Sequence, residues 1–138
     1  MNSRQVIAAA IAVVALPLLT ACGGSPADPV ASAREMAVAP AWVRQPAGTD
    51  CGQVEVSHLG ELPKEARRCL DRVAANGQRG TLAFIRWTTE GDPGVSFILV
   101  DGSTVKVASI LAFDSNGGDD NGWSEQTCTD VAALPDCR

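Results

Sequence analysis

Apolar residues run from Val6 to Leu19, about 14 residues and short of the roughly 20 that span a bilayer as a helix. Pro17 interrupts the run near its end. Arg4 is the only charged side chain before it, and small residues lead to Cys22 in Leu19-Thr20-Ala21-Cys22. A basic start, a short apolar stretch and slim residues before a cut are the parts of a secretory signal. The last four residues are similar to the lipobox of bacterial lipoproteins. On that reading residues 1–21 are the signal peptide and the Cys22 thiol takes a diacylglyceryl group. Two acyl chains suffice for stable anchoring. The alternative is an ordinary signal cut elsewhere, with Cys22 left as a free thiol.

The pattern then changes three times. Residues 23–50 hold Pro26, Pro29, Pro40 and Pro46 and read, with the lipidated Cys22, as a flexible tether over 22–50. Within it the patch Met36–Val43, carrying Trp42, either packs back on the domain or waits exposed for a partner. From Pro63 to Asn76 the spacing predicts a helix. Leu62, Ala66, Cys69, Leu70, Val73 and Ala74 share a face, Pro63 suits a first turn, and Asn76-Gly77 is a stop.

After the helix the chain reads as strands. Thr81–Thr89, Val95–Val100 and Thr104–Phe113 are β-rich, and Val95–Val100 is apolar enough to be central. Glu90–Gly94 reads as a turn and Asp101-Gly102 as a hairpin. Trp123–Cys128 is a fourth strand, and Gln53–Val56 alternates weakly. The expected fold is α+β: one helix packed on an antiparallel sheet of about four strands, in a single domain over 51–138.

Charge narrows the partners. Removing Arg4 leaves 10 basic against 16 acidic side chains, a formal net charge of −6. Phosphate contacts need Lys and Arg, so nucleic acid is not expected as a partner. No phosphate-binding glycine motif is present, and no nucleotide or other cofactor is expected. Cysteine usage adds staples. Beyond Cys22 there are four, Cys51, Cys69, Cys128 and Cys137, an even number that in an exported chain reads as two disulfides. Of three connectivities, Cys51–Cys69 with Cys128–Cys137 is favoured, because each bond closes a short local loop. The chain has no C-x-x-C pair and one histidine, His58, which argues against zinc.

Candidate chemistry is sparse. Arg86, Thr88 and Glu90 share a strand face at period two, a polar recognition stripe or an ordinary solvated edge. Glu90 and Asp92 put two carboxylates on one turn, as an acid–base pair would need. The plainer reading has Asp92 capping the turn and Glu90 meeting Arg86 or a lysine. Asp114–Gly122 invites comparison with a calcium loop, but Gly118 and Asp119 fall where the EF-hand template needs a ligand and a glycine. A weaker calcium site would use Asp114, Asp119 and Asp120. No G-x-S-x-G elbow is present, His58 reads as a surface loop residue, and no catalytic residue is assigned.

The string Trp87-Thr88-Thr89-Glu90-Gly91-Asp92-Pro93 resembles the Thr-Thr-Glu-Gly-Asp-Pro stretch of a family of small uncharacterised bacterial lipoproteins, a domain-of-unknown-function family. The resemblance takes in Cys51-Gly52, Cys69 and Gly122-Trp123-Ser124 leading to Cys128, and so covers residues 51–130. It implies a lipoprotein and brings no activity or site. The Gly- and Asp-rich loop after Phe113 departs from it. Together these features lead to the expectation of a lipid-anchored, extracytoplasmic binding or interaction module, with the membrane and an envelope protein or extracellular ligand as partners. A hydrolase using Glu90 and Asp92 and a calcium-stabilised structural lipoprotein are the alternatives.

Overall fold

The computed structural model describes residues 25–58, 60–116 and 122–137. Cys22 and the signal segment lie outside them, as do Asp119 and Asp120. The elements in chain order are α1 Pro29–Glu35, α2 Ala41–Arg44, β1 Thr49–Val56, α3 Lys64–Ala75, β2 Arg79–Trp87, β3 Pro93–Asp101, β4 Thr104–Ile110 and β5 Trp123–Cys128. A 3-10 turn at Val131–Ala133 follows. Among the described residues no helix is long and apolar enough to cross a membrane.

The strands form one sheet in the order β1-β2-β3-β4-β5. β1 runs parallel to β2, and the other neighbours are antiparallel. The sheet is therefore mixed and five-stranded, which corrects the expectation of four antiparallel strands. The reason lies in the connection. Strands joined through a helix can lie side by side in the same direction, whereas a tight hairpin reverses the chain. β1 reaches β2 through α3. Its pattern was weak because it is an edge strand, and only Val56 among its eight residues is fully buried.

α3 forms where its apolar face predicts, burying Ala66, Leu70 and Val73. Its C-terminus closes with two backbone bonds. Gly77 N–H donates to the Ala74 carbonyl and Gln78 N–H to the Val73 carbonyl, both at 3.0 Å. That is the Schellman arrangement, and it needs the left-handed φ of +60° that Gly77 adopts. The Cys51–Cys69 disulfide ties β1 to α3, and Cys128–Cys137 ties the end of β5 to the tail, the pairing favoured from the sequence.

β2 and β3 are buried on both faces for most of their length. One face carries Leu82, Phe84, Ile98, Val100, Val105 and Val107 under α3 and the tail. The other carries Ala83, Ile85, Val95, Phe97, Ala108 and Ile110, and α1 and α2 cover it with Val30, Ala33, Ala39 and Val43. The Arg34 guanidinium sits 5.4 Å from the centre of the Phe97 ring, and Trp42 Nε1 donates to Glu125 at 2.7 Å. Residues 29–44 are thus part of the folded unit, and the expectation of a tether over 22–50 and of a single helix is corrected. Of the two readings of the Met36–Val43 patch, packing back on the domain is the one found. The local signal was present. Asp28 accepts the Ala31 N–H at 3.0 Å as an N-cap, with Pro29 at the first helical position.

The N-terminal strap therefore contributes to stability. Val30, 1% exposed, replaced by aspartate should cost at least about 2 kcal/mol in denaturant unfolding, because a charge is buried without a partner. Val38→Asp, at a site 71% exposed, should stay within about 0.5 kcal/mol of the parent. Equal stability of Val30→Asp and the parent would restore the tether.

Candidate functional site

Registration of the strands brings small side chains together on the α3 face, beyond the reach of α3. Phe84 of β2 pairs with Ser96 of β3, Ser96 with Ser109 of β4, and Ser109 with Ser124 of β5. Two positions further along, Arg86 pairs with Gly94. Side chains on one face of a strand recur every second residue, so Ser96 and Gly94 face the same way. Where bulkier residues would fill the face, these leave a cleft of about 580 Å³. His58, Arg86, Thr88, Ser96, Ser109 and Leu111 are among its lining residues. Its wall is mostly carbon. Leu111 closes over Gly94, where a methyl group would come 3.2 Å from Leu111 Cδ2.

The polar groups of the cleft are largely satisfied by one another. The Ser96 and Ser109 hydroxyls share a hydrogen bond of 2.8 Å. Arg86 Nη1 donates to Asp136 at 2.9 Å, and its guanidinium lies 5.6 Å from the centre of the Phe84 ring. Arg86 Nε is buried without a protein acceptor. Asp136 is held in place from behind. Arg67 of α3 donates to the Val131 and Leu134 carbonyls, and Cys137 is bonded to Cys128. This ion pair separates the cleft from a smaller hollow of about 280 Å³ beside Gln126 and Pro135.

The expected stripe Arg86–Thr88–Glu90 is not a stripe. β2 ends at Trp87, and Thr88 turns the chain. Its N–H donates to the Asp92 carbonyl at 2.8 Å, and its hydroxyl accepts from the Asp92 N–H at 3.0 Å. Arg86 and Thr88 both reach the cleft; Glu90 is exposed on the turn and does not line it. Arg86 finds Asp136 rather than Glu90.

The two carboxylates answer to separate partners. Thr89 donates its hydroxyl to Glu90, and this bond, with a backbone N–H, holds Glu90 below its ordinary value against repulsion from Asp92. Ser115 donates both its hydroxyl and its N–H to Asp92 Oδ2, holding Asp92 below its ordinary value too. Neither is poised to carry a proton at neutral pH, as a general acid must be. Asp114 accepts the Asn116 N–H at 2.8 Å. Among the described residues no group of three or more His, Cys, Asp or Glu side chains could hold a metal ion. The calcium expectation for Asp119 and Asp120 lies outside those residues.

His58 borders the same cleft as three serines, yet none of the side-chain hydrogen bonds among the described residues joins it to a serine or a carboxylate. A nucleophile needs a base within hydrogen-bond reach. The arrangement offers a preformed recess with hydroxyl groups on its floor. Ser96, Ser109, Ser124, Gly94 and Leu111 escaped the sequence reading because only strand register aligns them. Comparisons of the chain with known families, with curated proteins and with solved structures find no match.

The Asp92–Ser115 tie has a pH signature. An unfolded chain binds the Asp92 proton more readily than the folded one, so the stabilisation is complete above the ordinary value of 3.8. It is lost as pH falls through the lower folded value. Asp92→Asn should lower the unfolding temperature at pH 7, and the gap to the parent should narrow as the pH falls from 7 to 2. A gap that stays constant across that range would show that ionisation of Asp92 is not what the bond depends on.

Proposed function

We propose that the chain is a lipid-anchored protein of the bacterial cell envelope, exposed on the extracytoplasmic side, that works as a binding module through the cleft on its α3 face. The cleft carries the reading. It is large enough for one small ligand, within the roughly 300–1,000 Å³ usual for such sites. It combines an apolar wall with a few fixed polar groups, as small-molecule sites do. Two disulfides suit an oxidising compartment outside the cytoplasm. The Leu19–Cys22 lipobox supplies the anchor, and the resemblance to small bacterial lipoproteins points the same way.

Binding is favoured over hydrolysis by Glu90 and Asp92 because their carboxylates are taken up by Thr89 and Ser115. Two measurements test the reading. Cys22→Ser should move the protein from the membrane fraction to the soluble fraction. Native mass spectrometry of the protein purified from its membrane should show a small-molecule adduct that Ser109→Trp, by filling the cleft, removes. A parent protein free of any adduct that Ser109→Trp affects would count against the cleft as a binding site.

A further inference from the structure

The cleft and the start of the described chain lie at the same end of the sheet. Ser25 and Pro26 border a hollow of about 230 Å³ together with Asp92, Ala112, Phe113 and Ser115. Asp114 borders both that hollow and the cleft. Three peptide steps separate Ser25 from Cys22. A fully extended chain covers at most ~3.6 Å per residue, so Cys22 lies within about 11 Å of Ser25. If Cys22 is lipidated, as proposed above, the rim of the cleft is held at the membrane surface. Leu111, apolar and 51% exposed, lines the cleft at this end of the sheet.

We infer that the cleft takes the single acyl chain of a membrane-borne amphiphile whose head group is uncharged or zwitterionic. This rests on the proposed function and names its ligand class. The wall is mostly carbon, and the Leu111 side chain, which reaches over Gly94, suits a hydrocarbon chain. The polar groups of the floor are the neutral hydroxyls of Ser96, Ser109 and Ser124, which suit hydroxyl and ester oxygens. Arg86, the one Arg or Lys among the described lining residues, is already compensated by Asp136. Glu90, Asp92 and Asp114 on the adjoining turn and loop are acidic and would repel an anionic head. The anchor distinguishes the ligand from the protein's own lipid. A single chain holds to a bilayer marginally and reversibly, whereas two chains are stably retained. A one-chain molecule is therefore free to leave for the cleft, and the anchor of Cys22 stays in the membrane.

The test uses the mature chain with Cys22→Ser, titrated calorimetrically with monomyristoylglycerol and, separately, with myristate. One-to-one binding of monomyristoylglycerol is expected, with myristate at least tenfold weaker at pH 8. Ser109→Trp should weaken the glyceride at least tenfold, and Val38→Asp should leave it unchanged. Leu111→Asp, at the half-exposed rim, is a second cleft variant in case Ser109→Trp does not fold. No binding of the glyceride, equal binding of myristate, or binding that neither cleft variant weakens would overturn the inference. An adduct sensitive to Ser109→Trp on the membrane-purified protein would then leave the binding module standing with another ligand; without one, both readings fall. For the orientation, the lipidated chain is placed in vesicles containing brominated lipid. Trp87 ends β2 at the end of the sheet where the cleft opens, so tryptophan quenching should drop in Trp87→Phe, and equal quenching would overturn the placement of that end at the bilayer.

Discussion

The burial of β2 and β3 on both faces is the constraint from which the rest of the architecture follows. Two adjacent strands with apolar residues at nearly every position cannot leave either side in water. One side is met by α3 and the C-terminal tail, the other by α1 and α2. The helices divide the work unequally. α3 spans 12 residues with a continuous apolar stripe, while α1 and α2 have seven and four residues and depend on the sheet for their own stability. Isolated helices of that length are not stable in water. The sheet therefore organises its N-terminal cover as much as that cover protects the sheet.

The cleft is the place where this coverage stops. α3 lies over Leu82, Ile98, Val100 and Val105, and the tail is drawn in by Arg67 and Cys137. Between the tail and the loop after β1 the sheet presents Gly94, Ser96, Ser109 and Ser124, residues too small to fill the space. The recess is formed by strands, and the Ser96 and Ser109 hydroxyls of its floor are already hydrogen-bonded to each other. A ligand of the kind proposed would meet a surface that needs little rearrangement, which would reduce the entropic penalty of binding.

Much of this fold was legible in the chain. Pro63, the apolar spacing to Val73 and Asn76-Gly77 marked α3 to within a residue or two. Asp101-Gly102 marked the β3–β4 reversal, and short sequence separation marked the disulfide partners. What was not legible has physical causes. β1 is exposed along most of its length, so its alternation is faint, and its parallel pairing depends on where α3 returns the chain. The prolines of residues 26–46 suggested an unstructured segment, although Pro29 follows a capping aspartate and serves to start a helix. At Trp87 the strand gives way to a turn, so a period-two count from Arg86 to Glu90 runs past the end of the element that justifies it. The cleft depends on residues from three strands meeting in register, which no local pattern encodes.

The two cross-links both act locally, joining β1 to α3 and β5 to the tail, and neither reaches α1 or α2. Among the described residues, α1 and α2 are held to the sheet by packing, by Arg34 over Phe97 and by the bond from Trp42 to Glu125. On the lipid anchor proposed for Cys22, mechanical load would enter the molecule there. Tension between a membrane and the domain would act first on α1 and then α2, peeling them from the sheet one after the other. The stapled half of the domain is the last to feel the force.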